Sequence, residues 1–464
     1  MILKNAKIYS EGLIQSGEIL ITNGIIHKIE FNPDEKKIKD LVNKNHNDMV
    51  IDCENKLILP GIIDIHSHLR DMDQSEKETF LTSTKAAAFS GITTVFNMPN
   101  TKPPAITSNQ IKLWMQKAKN NIYVDVGFIA GVPKSIDNNE IKKIIDLGVI
   151  GFKVYSIGDL SEIDWNNPEN LYKLFNISSS YQIPIFIHAL SPLSLEEKEQ
   201  INQEFHQNRY TFLEYHDKLN PVKAEEQYVQ FVIDNYLGYI TDFHLDPKSY
   251  PIIHFCHISC TESLLIIQKV LTKDKNLKIT FEVTPHHLIL SNKILISNTN
   301  FGKVLPPLRN EDHPKFLFNE LKKGTIKLIG TDHAPHTIEE KFFKFDKAPS
   351  GFPGFETYPL VLLHKVFNFE FSLESFVRIA SENPAKIFNL NKKGFIKEGY
   401  DADLLIVDKG PIYNINPQNF KSKAKFSPFE KYSTSVYIWK VFLRGIEVNI
   451  DNSIPNGKII RRKL

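Results

Sequence analysis

Apolar runs alternate with amphipathic stretches through the middle of the chain. Many of the stretches between runs, such as 108–120 and 137–148, carry apolar residues at helical spacing. Near-continuous apolar strands that alternate with helices are typical of a parallel sheet with helices outside it. Eight such units predict an α/β fold, a TIM-like (β/α)8 barrel. The eight apolar runs lie at 60–68, 92–96, 122–128, 150–155, 183–188, 251–257, 277–283 and 325–331.

The two ends of the chain have a different pattern, in which short alternating runs are separated by Gly and Asn. Such runs predict short strands with turns. They fill the first sixty residues and recur at 394–410 and 434–448. We predict one small β-module built from both ends, and two unrelated β-extensions are the alternative. Two gaps in the barrel rhythm, 190–250 and 284–325, predict loop insertions, and the first is expected to be a surface helical excursion.

Composition excludes several classes of protein. Apolar residues make up 42% and charged residues 24% of the 464 residues, unlike a disordered or fibrous chain. Lys and Arg total 56 against 54 for Asp and Glu, with no basic block, so we expect no nucleic-acid partner. No apolar run approaches the ~20 residues of a membrane span and the N-terminus has no signal-peptide core, so we expect no membrane association. Three cysteines are too few for a disulfide framework, which favours a cytoplasmic location.

Candidate chemical groups follow the predicted barrel strands. Active-site residues of such barrels lie at the carboxyl ends of strands. The ends of five predicted strands carry His66 and His68, Lys153, His188, His257, and Asp332. Residues i and i+2 of a strand point to the same side, so His66 and His68 can hold one metal, and imidazole suits zinc. One histidine alone is more often a hydrogen-bonded core or rim residue, but six groups in one layer predict a metal site.

Lys153 is the unusual member of this set. An unpaired ammonium buried at a strand end is costly or loses its proton. A partner carboxylate is one explanation. The other is a neutral, nucleophilic lysine that reacts with carbon dioxide, because the resulting carbamate has two oxygens that can bridge two cations. His188 and His257 would then serve the second metal, and Asp332 would bind the first metal and move protons.

A set of longer motifs covers most of the chain. The motifs are PGIIDIHSHLRD (60–71), NMPNTKPP (97–104), GFKVY (151–155), HFCHIS (254–259), EVTPHHL (282–288), PPLR (306–309), GTDHAPHTIEEK (330–341) and APSGFPGFET (348–357). In order and spacing the set resembles the dihydroorotases of the cyclic amidohydrolase superfamily. The resemblance implies a composite β-sandwich made by both chain ends. The predicted domains are 1–59 and 389–464 for the sandwich and tail, and 60–388 for the barrel.

The resemblance also implies a reaction and a role for each candidate. The reaction is the reversible hydrolysis of (S)-dihydroorotate to N-carbamoyl-L-aspartate in de novo pyrimidine (UMP) biosynthesis. A hydroxide that bridges two metals is the implied nucleophile, and Asp332 is the implied general base and then acid. The implied cofactors are two Zn2+ per chain, or other divalent metals, and a carbamate on Lys153. The other implied roles are metal binding by His66, His68, Lys153, His188, His257 and Asp332, and substrate binding by Arg70, Asn100 and His336.

Several positions depart from the family pattern or stay open. Leu305 stands where many relatives have a polar residue, which removes one expected substrate contact. Cys256 and Glu282 match positions that bind a further zinc in some relatives. Strand alternation predicts instead a buried Cys256 that points away from His257. The segment after His336 resembles the mobile substrate loop of the family, and a packed surface loop is an equal alternative.

Two other functions compete with this interpretation. A hydantoinase or allantoinase would share the barrel, the lysine and the metal ligands, but Arg70 and His336 favour a dihydroorotase. A non-catalytic dihydroorotase-like scaffold would have lost one or more of the six metal-site residues, and this chain keeps all of them. Beyond a small-molecule substrate, the resemblance implies a homodimer and an association with aspartate carbamoyltransferase, since both occur among relatives.

Overall fold

The computed structural model describes residues 1–33, 49–207 and 209–462. Its strands β1 to β16 are Ile2–Ser10, Leu13–Thr22, Ile25–Phe31, Val50–Asp52, Leu57–Pro60, Ile62–Ser67, Ile92–Asn97, Asp125–Gly131, Gly151–Tyr155, Pro184–His188, Ile252–Phe255, Ile279–Phe281, Leu404–Asn414, Ser433–Leu443, Ile446–Glu447 and Ile459–Ile460. Its α-helices α1 to α14 are Phe80–Phe89, Ser108–Ala118, Asn138–Asp146, Pro168–Tyr181, Leu195–His206, Phe212–Leu219, Val222–Asp242, Thr261–Lys273, Pro285–Ile289, Asp312–Lys322, Ile338–Lys341, Tyr358–Phe367, Leu373–Val377 and Asn383–Ile387.

Parallel strands β6 to β12 pair in sequence order and form the barrel wall, so the predicted barrel is confirmed. The prediction of a regular strand at 325–331 is wrong. Two isolated parallel bridges, Val283 with Ile329 and Ser67 with His333, close the barrel there. The ladder is interrupted because the Thr331 N–H donates to the side-chain carboxylate of Asp64 at 2.9 Å instead of to a backbone carbonyl of the neighbouring strand.

The strands from the two chain ends form the second, strand-rich domain. Eight strands share one sheet in the order β15, β14, β13, β5, β1, β2, β3, with β4 on β1. The two ends meet where β5 pairs antiparallel with β13, for example Leu59 with Leu405. This pairing confirms a single module built from both ends. The short β16 leaves that module and pairs with β8 of the barrel.

The first predicted insertion is helical, but only part of it is a surface excursion. Helix α5 buries none of its residues. Helix α7 in contrast buries Tyr228, Val232 and Tyr236 on one face and belongs to the outer helical layer of the barrel. The second gap also holds a layer helix, α10, which buries Leu317 and Leu321. Within the described ranges, none of the helices is both long and apolar enough to cross a bilayer.

Candidate metal centre

The six groups predicted to bind metal meet at the carboxyl end of the barrel. They line a cavity of about 200 Å³, which is therefore a candidate active site. Apart from Tyr155, which ends β9, the other residues around this cavity come from loops. The lining residues are His66, His68, Asn100, Lys153, Tyr155, Ile157, His188, His257, Val304, Leu305, Asp332, Ala334, Ser350 and Gly351.

His66, His68 and Asp332 form the first group of atoms that could hold a metal ion. One ring nitrogen of each histidine and a carboxylate oxygen of Asp332 all lie within 4.8 Å of one another. Asp332 Oδ1 is 2.9 Å from His68 Nε2 and 3.5 Å from His66 Nε2. Burial raises the pKa of Asp332, but the hydrogen bond with His68 and the charge on His66 outweigh it and hold that pKa below its usual range. Asp332 is therefore an ionised acceptor beside two histidine rings.

His188, His257 and Lys153 form the second part of the site. His188 Nδ1 lies 2.9 Å from His257 Nε2. Burial, followed by the charge of Lys153, lowers the pKa of His188 to about 3, so its ring is neutral, as a metal ligand must be. Lys153 is 1% exposed, and its Nζ is 3.0 Å from Cys256 Sγ. No carboxylate of the described residues forms an ion pair with Lys153, which removes the simpler explanation for this lysine.

Alternation predicts that Cys256 points away from His257, yet Cys256 lies beside other groups of the site. Its Sγ, a ring nitrogen of His66 and a carboxylate oxygen of Glu282 lie within 4.8 Å of one another. Strand β11 ends at Phe255, and His257 has a φ of +36°. Because the extended backbone stops there, strand alternation no longer applies to Cys256 and His257. The sequence carries no signal for this positive φ.

The sequence did not predict a contact between Glu282 and the first metal group. In the structure Glu282 contacts the rings of two histidines, His66 and His254. It contacts His66 Nδ1 and lies 3.2 Å from His254 Nε2, and its oxygen accepts the His257 N–H at 3.3 Å. Burial raises the pKa of Glu282, but the charge on His66 outweighs it and lowers that pKa to about 2. A carboxylate behind a metal-binding histidine fixes the ring and its tautomer.

The three predicted substrate residues fall in two places. Asn100 lines the cavity, and its Oδ1 is 2.5 Å from His68 Nδ1. Arg70 and His336 lie together beside the cavity, with 3.3 Å between Arg70 Nη2 and His336 Nε2. Arg70 is 5% exposed and its Nε donates to Pro335 O at 3.2 Å. Among the described residues, no carboxylate lies within ion-pair distance of this buried guanidinium.

Leu305 lines the cavity, as expected of a residue that replaces a polar substrate contact. His287 has a structural role, because its two ring nitrogens lie 2.8 Å from Thr284 Oγ1 and 3.1 Å from Pro306 O. It therefore holds the loop that carries Leu305. His286 packs against Phe352, with 4.9 Å between ring centroids.

Comparisons with known proteins agree on the type of fold. Residues 57–445 match the model of the amidohydrolase family. A dihydroorotase from Methanosarcina acetivorans is 35% identical over 92% of this chain and 87% of its own length. A dihydroorotase from Pyrococcus horikoshii is 34% identical over 97% of this chain and 95% of its own. An L-hydantoinase structure from Arthrobacter aurescens superposes with a TM-score of 0.83 at 24% identity, over 99% of both chains.

Proposed function

Because the chain belongs to the amidohydrolase family, we propose that it is a dihydroorotase, which hydrolyses (S)-dihydroorotate reversibly to N-carbamoyl-L-aspartate in de novo pyrimidine biosynthesis. The observation that carries this choice is Arg70. A buried guanidinium without a carboxylate partner is costly, and beside a metal site it offers a planar fork to a substrate carboxylate. Dihydroorotate has this carboxylate on its ring.

The metal-binding roles are part of the proposal. His66, His68 and Asp332 would hold one ion, His188 and His257 the other, and a carbamate on Lys153 would be shared. The neutral state of His188 and the lack of a carboxylate near Lys153 both fit this arrangement, since a carbamate supplies the missing anion. Two bound divalent ions, with zinc favoured by the ligand types, would lower the pKa of a water and polarise the substrate carbonyl.

Asp332 is proposed to carry the proton. Hydrolysis forms a bond from the water oxygen to the ring carbonyl carbon and breaks the bond from that carbon to the ring nitrogen. Asp332 takes a proton from the water and delivers it to the departing nitrogen. Its low pKa suits the first step because the carboxylate is ionised at neutral pH. Glu282 behind His66 and Asn100 against His68 keep those rings aligned with Asp332.

Substrate binding is proposed for Arg70, His336 and Asn100. Arg70 and His336 would contact the carboxylate, and Asn100, which already touches His68, would reach the ring. The cytoplasmic location, the homodimer, the association with aspartate carbamoyltransferase and the domain bounds 1–59, 60–388 and 389–464 remain predictions from the sequence.

The test is a dihydroorotate hydrolysis assay with metal content measured on the same sample. We expect turnover with about two metals per chain, abolished in Asp332→Ala. Asp408→Ala, which removes a half-exposed carboxylate of the strand-rich domain, is the control and should leave turnover unchanged. Turnover of hydantoin or allantoin instead would overturn the substrate. Metal-free, inactive protein after addition of zinc and bicarbonate would favour a non-catalytic scaffold.

A further inference from the structure

The segment 342–351, which follows α11, forms part of the cavity wall. Ser350 and Gly351 line the cavity, and Ser350 O lies 3.1 Å from His336 Nε2. The segment therefore supplies one of the contacts that place His336, which lies beside Arg70. Because the segment has no regular secondary structure over most of its length, contacts from outside must hold it in place.

Phe345 is the main apolar anchor of the segment. Its ring is 9% exposed and stacks on Phe212 of α6, with 5.0 Å between centroids and 28° between planes. His216, one turn further along α6, meets the same ring edge-on at 6.0 Å. The Lys303 ammonium lies 4.8 Å from the ring centroid. We call Phe345 with these three residues the Phe345 clamp.

The clamp also joins the segment to the loop around Val304, another part of the cavity wall. Lys303 Nζ donates to the carbonyls of Phe345 and Ala348 at 2.5 and 2.7 Å. His216 Nε2 is 2.8 Å from the carbonyl oxygen of Val304, which lines the cavity. The Phe345 clamp thus contacts both the loop at Val304 and the segment that carries Ser350.

The helix that presents the clamp is itself fixed to the barrel. Asp217 of α6 accepts a 2.7 Å hydrogen bond from Arg309, which is 1% exposed. The Arg309 Nε donates to Ser259 Oγ at 2.9 Å, in the loop just after His257. Arg309 therefore ties helix α6 to the barrel, and the insertion reaches the site through this helix.

We propose that Phe345 is a positioning residue, clamped by Phe212, His216 and Lys303, through which the helical insertion fixes the 342–351 segment and thereby the affinity for the substrate carboxylate. The part concerning the substrate rests on the proposed function. The geometry favours an effect on binding, because the segment contacts His336 and none of its residues supplies a metal-binding atom of the site. Loss of binding that is equal in ground and transition states raises KM and leaves kcat unchanged.

The experiment compares two clamp variants with two controls on the full-length, metal-loaded chain. Phe345→Ala removes the anchor. Phe212→Ala removes the ring that stacks on Phe345. Because Phe212 is 44% exposed, this variant should fold even where Phe345→Ala does not. The controls are Phe343→Ala, on the same segment with a ring 54% exposed, and Leu195→Ala, on α5 and 84% exposed.

Two readouts separate positioning from general damage. We expect both clamp variants to speed amide hydrogen exchange in 342–351 while the barrel strands stay protected. We expect a rise in KM for dihydroorotate of about 10- to 100-fold, with kcat and metal content close to the wild type. Neither control should change either readout. Phe345→Tyr, which keeps an aromatic ring at this position, should retain most of the affinity for dihydroorotate.

Unchanged exchange and KM in both clamp variants would overturn the proposal. So would a fall in kcat with metal loss and faster exchange throughout the barrel, because that pattern indicates a structural role alone. If the wild-type chain does not turn over dihydroorotate, the proposed function fails. The exchange data then still decide whether the clamp orders the segment.

Discussion

Lys393 forms a buried ion cluster between the barrel and the strand-rich domain, and its loss should destabilise the protein without changing its chemistry. The ammonium is 2.6 Å from Asp125, 2.7 Å from Asp403 and 3.0 Å from Asp401. Lys393 is only 7% exposed. Asp125 opens β8 at the amino end of a barrel strand, whereas Asp403 precedes β13 of the other domain.

The magnitude follows from what Lys393→Met leaves behind. Two hydrogen bonds to charged groups at about 1.5–3 kcal/mol each give about 3–6 kcal/mol. Removal of one partner of a buried pair costs about 3–5 kcal/mol. Arg444 remains 2.7 Å from Asp125 and compensates part of its charge, so we expect a loss of about 3–5 kcal/mol in the free energy of unfolding.

The assay is urea denaturation followed by far-UV circular dichroism at pH 7, together with kcat/KM at low denaturant. Lys392→Met, an exposed neighbour, is the matched control. Asp403→Asn added to Lys393→Met should recover part of the loss because it removes one uncompensated carboxylate. The amino end of β8 is remote from the carboxyl-end cavity, so kcat/KM should stay within about twofold. A loss below about 1 kcal/mol, the size expected of exposed pairs, would refute the reasoning.

Three further predictions concern the site and its support. Burial, assisted by Lys303, Arg309 and Lys341, lowers the pKa of His216 to about 4. Below pH ~6.5 the folded state then binds fewer protons than the unfolded state, so the protein becomes less stable as the pH is lowered. Between pH 7 and 4.5, His216 lowers the free energy of unfolding by about 2 kcal/mol. His216→Gln should remove that part of the loss in urea denaturation at the two pH values, and an identical pH dependence in the variant would contradict the assignment. Arg70→Lys should lower kcat/KM for dihydroorotate by about 100-fold, mainly through KM, because an ammonium lacks the planar fork; steady-state kinetics check this, and an unchanged KM would count against carboxylate binding. Dialysis against a chelator should abolish turnover and lower the melting temperature, and zinc with bicarbonate should restore both; turnover that survives metal removal, verified by elemental analysis, would contradict the metal site.

The sequence predicted the residues whose position depends on regular strands. His66 lies in β6 and His68 directly follows that strand, while Lys153 lies in β9 and His188 ends β10, close to the places that the apolar runs indicated. The same reasoning failed at Cys256, where the extended backbone stops. Alternation is a property of φ and ψ, and no pattern of apolar residues reveals a single left-handed residue after a strand.

Contacts that depend on side chains from distant elements were also beyond prediction. The run at 325–331 has the composition of a strand, but the Asp64 carboxylate takes the hydrogen bond of Thr331 that a ladder would need. The Phe345 clamp joins an insertion helix to a segment more than a hundred residues away. The sequence indicated a helical excursion at 190–250, yet its contact with the cavity wall depends on packing between separate elements.

Lys153 and Arg70 are buried at the site without an anionic partner in the part of the chain that the structure describes, and Arg70 distinguishes the competing substrates. Lys303 and Lys341 are also buried, but each ammonium meets two backbone carbonyls. Lys153 has a thiol at 3.0 Å, and Arg70 has one carbonyl and one imidazole. Each therefore lacks an anion among the described residues. The proposed carbamate would supply the anion at Lys153, and the carboxylate of the proposed substrate would supply the anion at Arg70. Hydantoin would leave Arg70 without a counter-charge. The similarity in fold to the hydantoinases is therefore no reason to expect the same substrate.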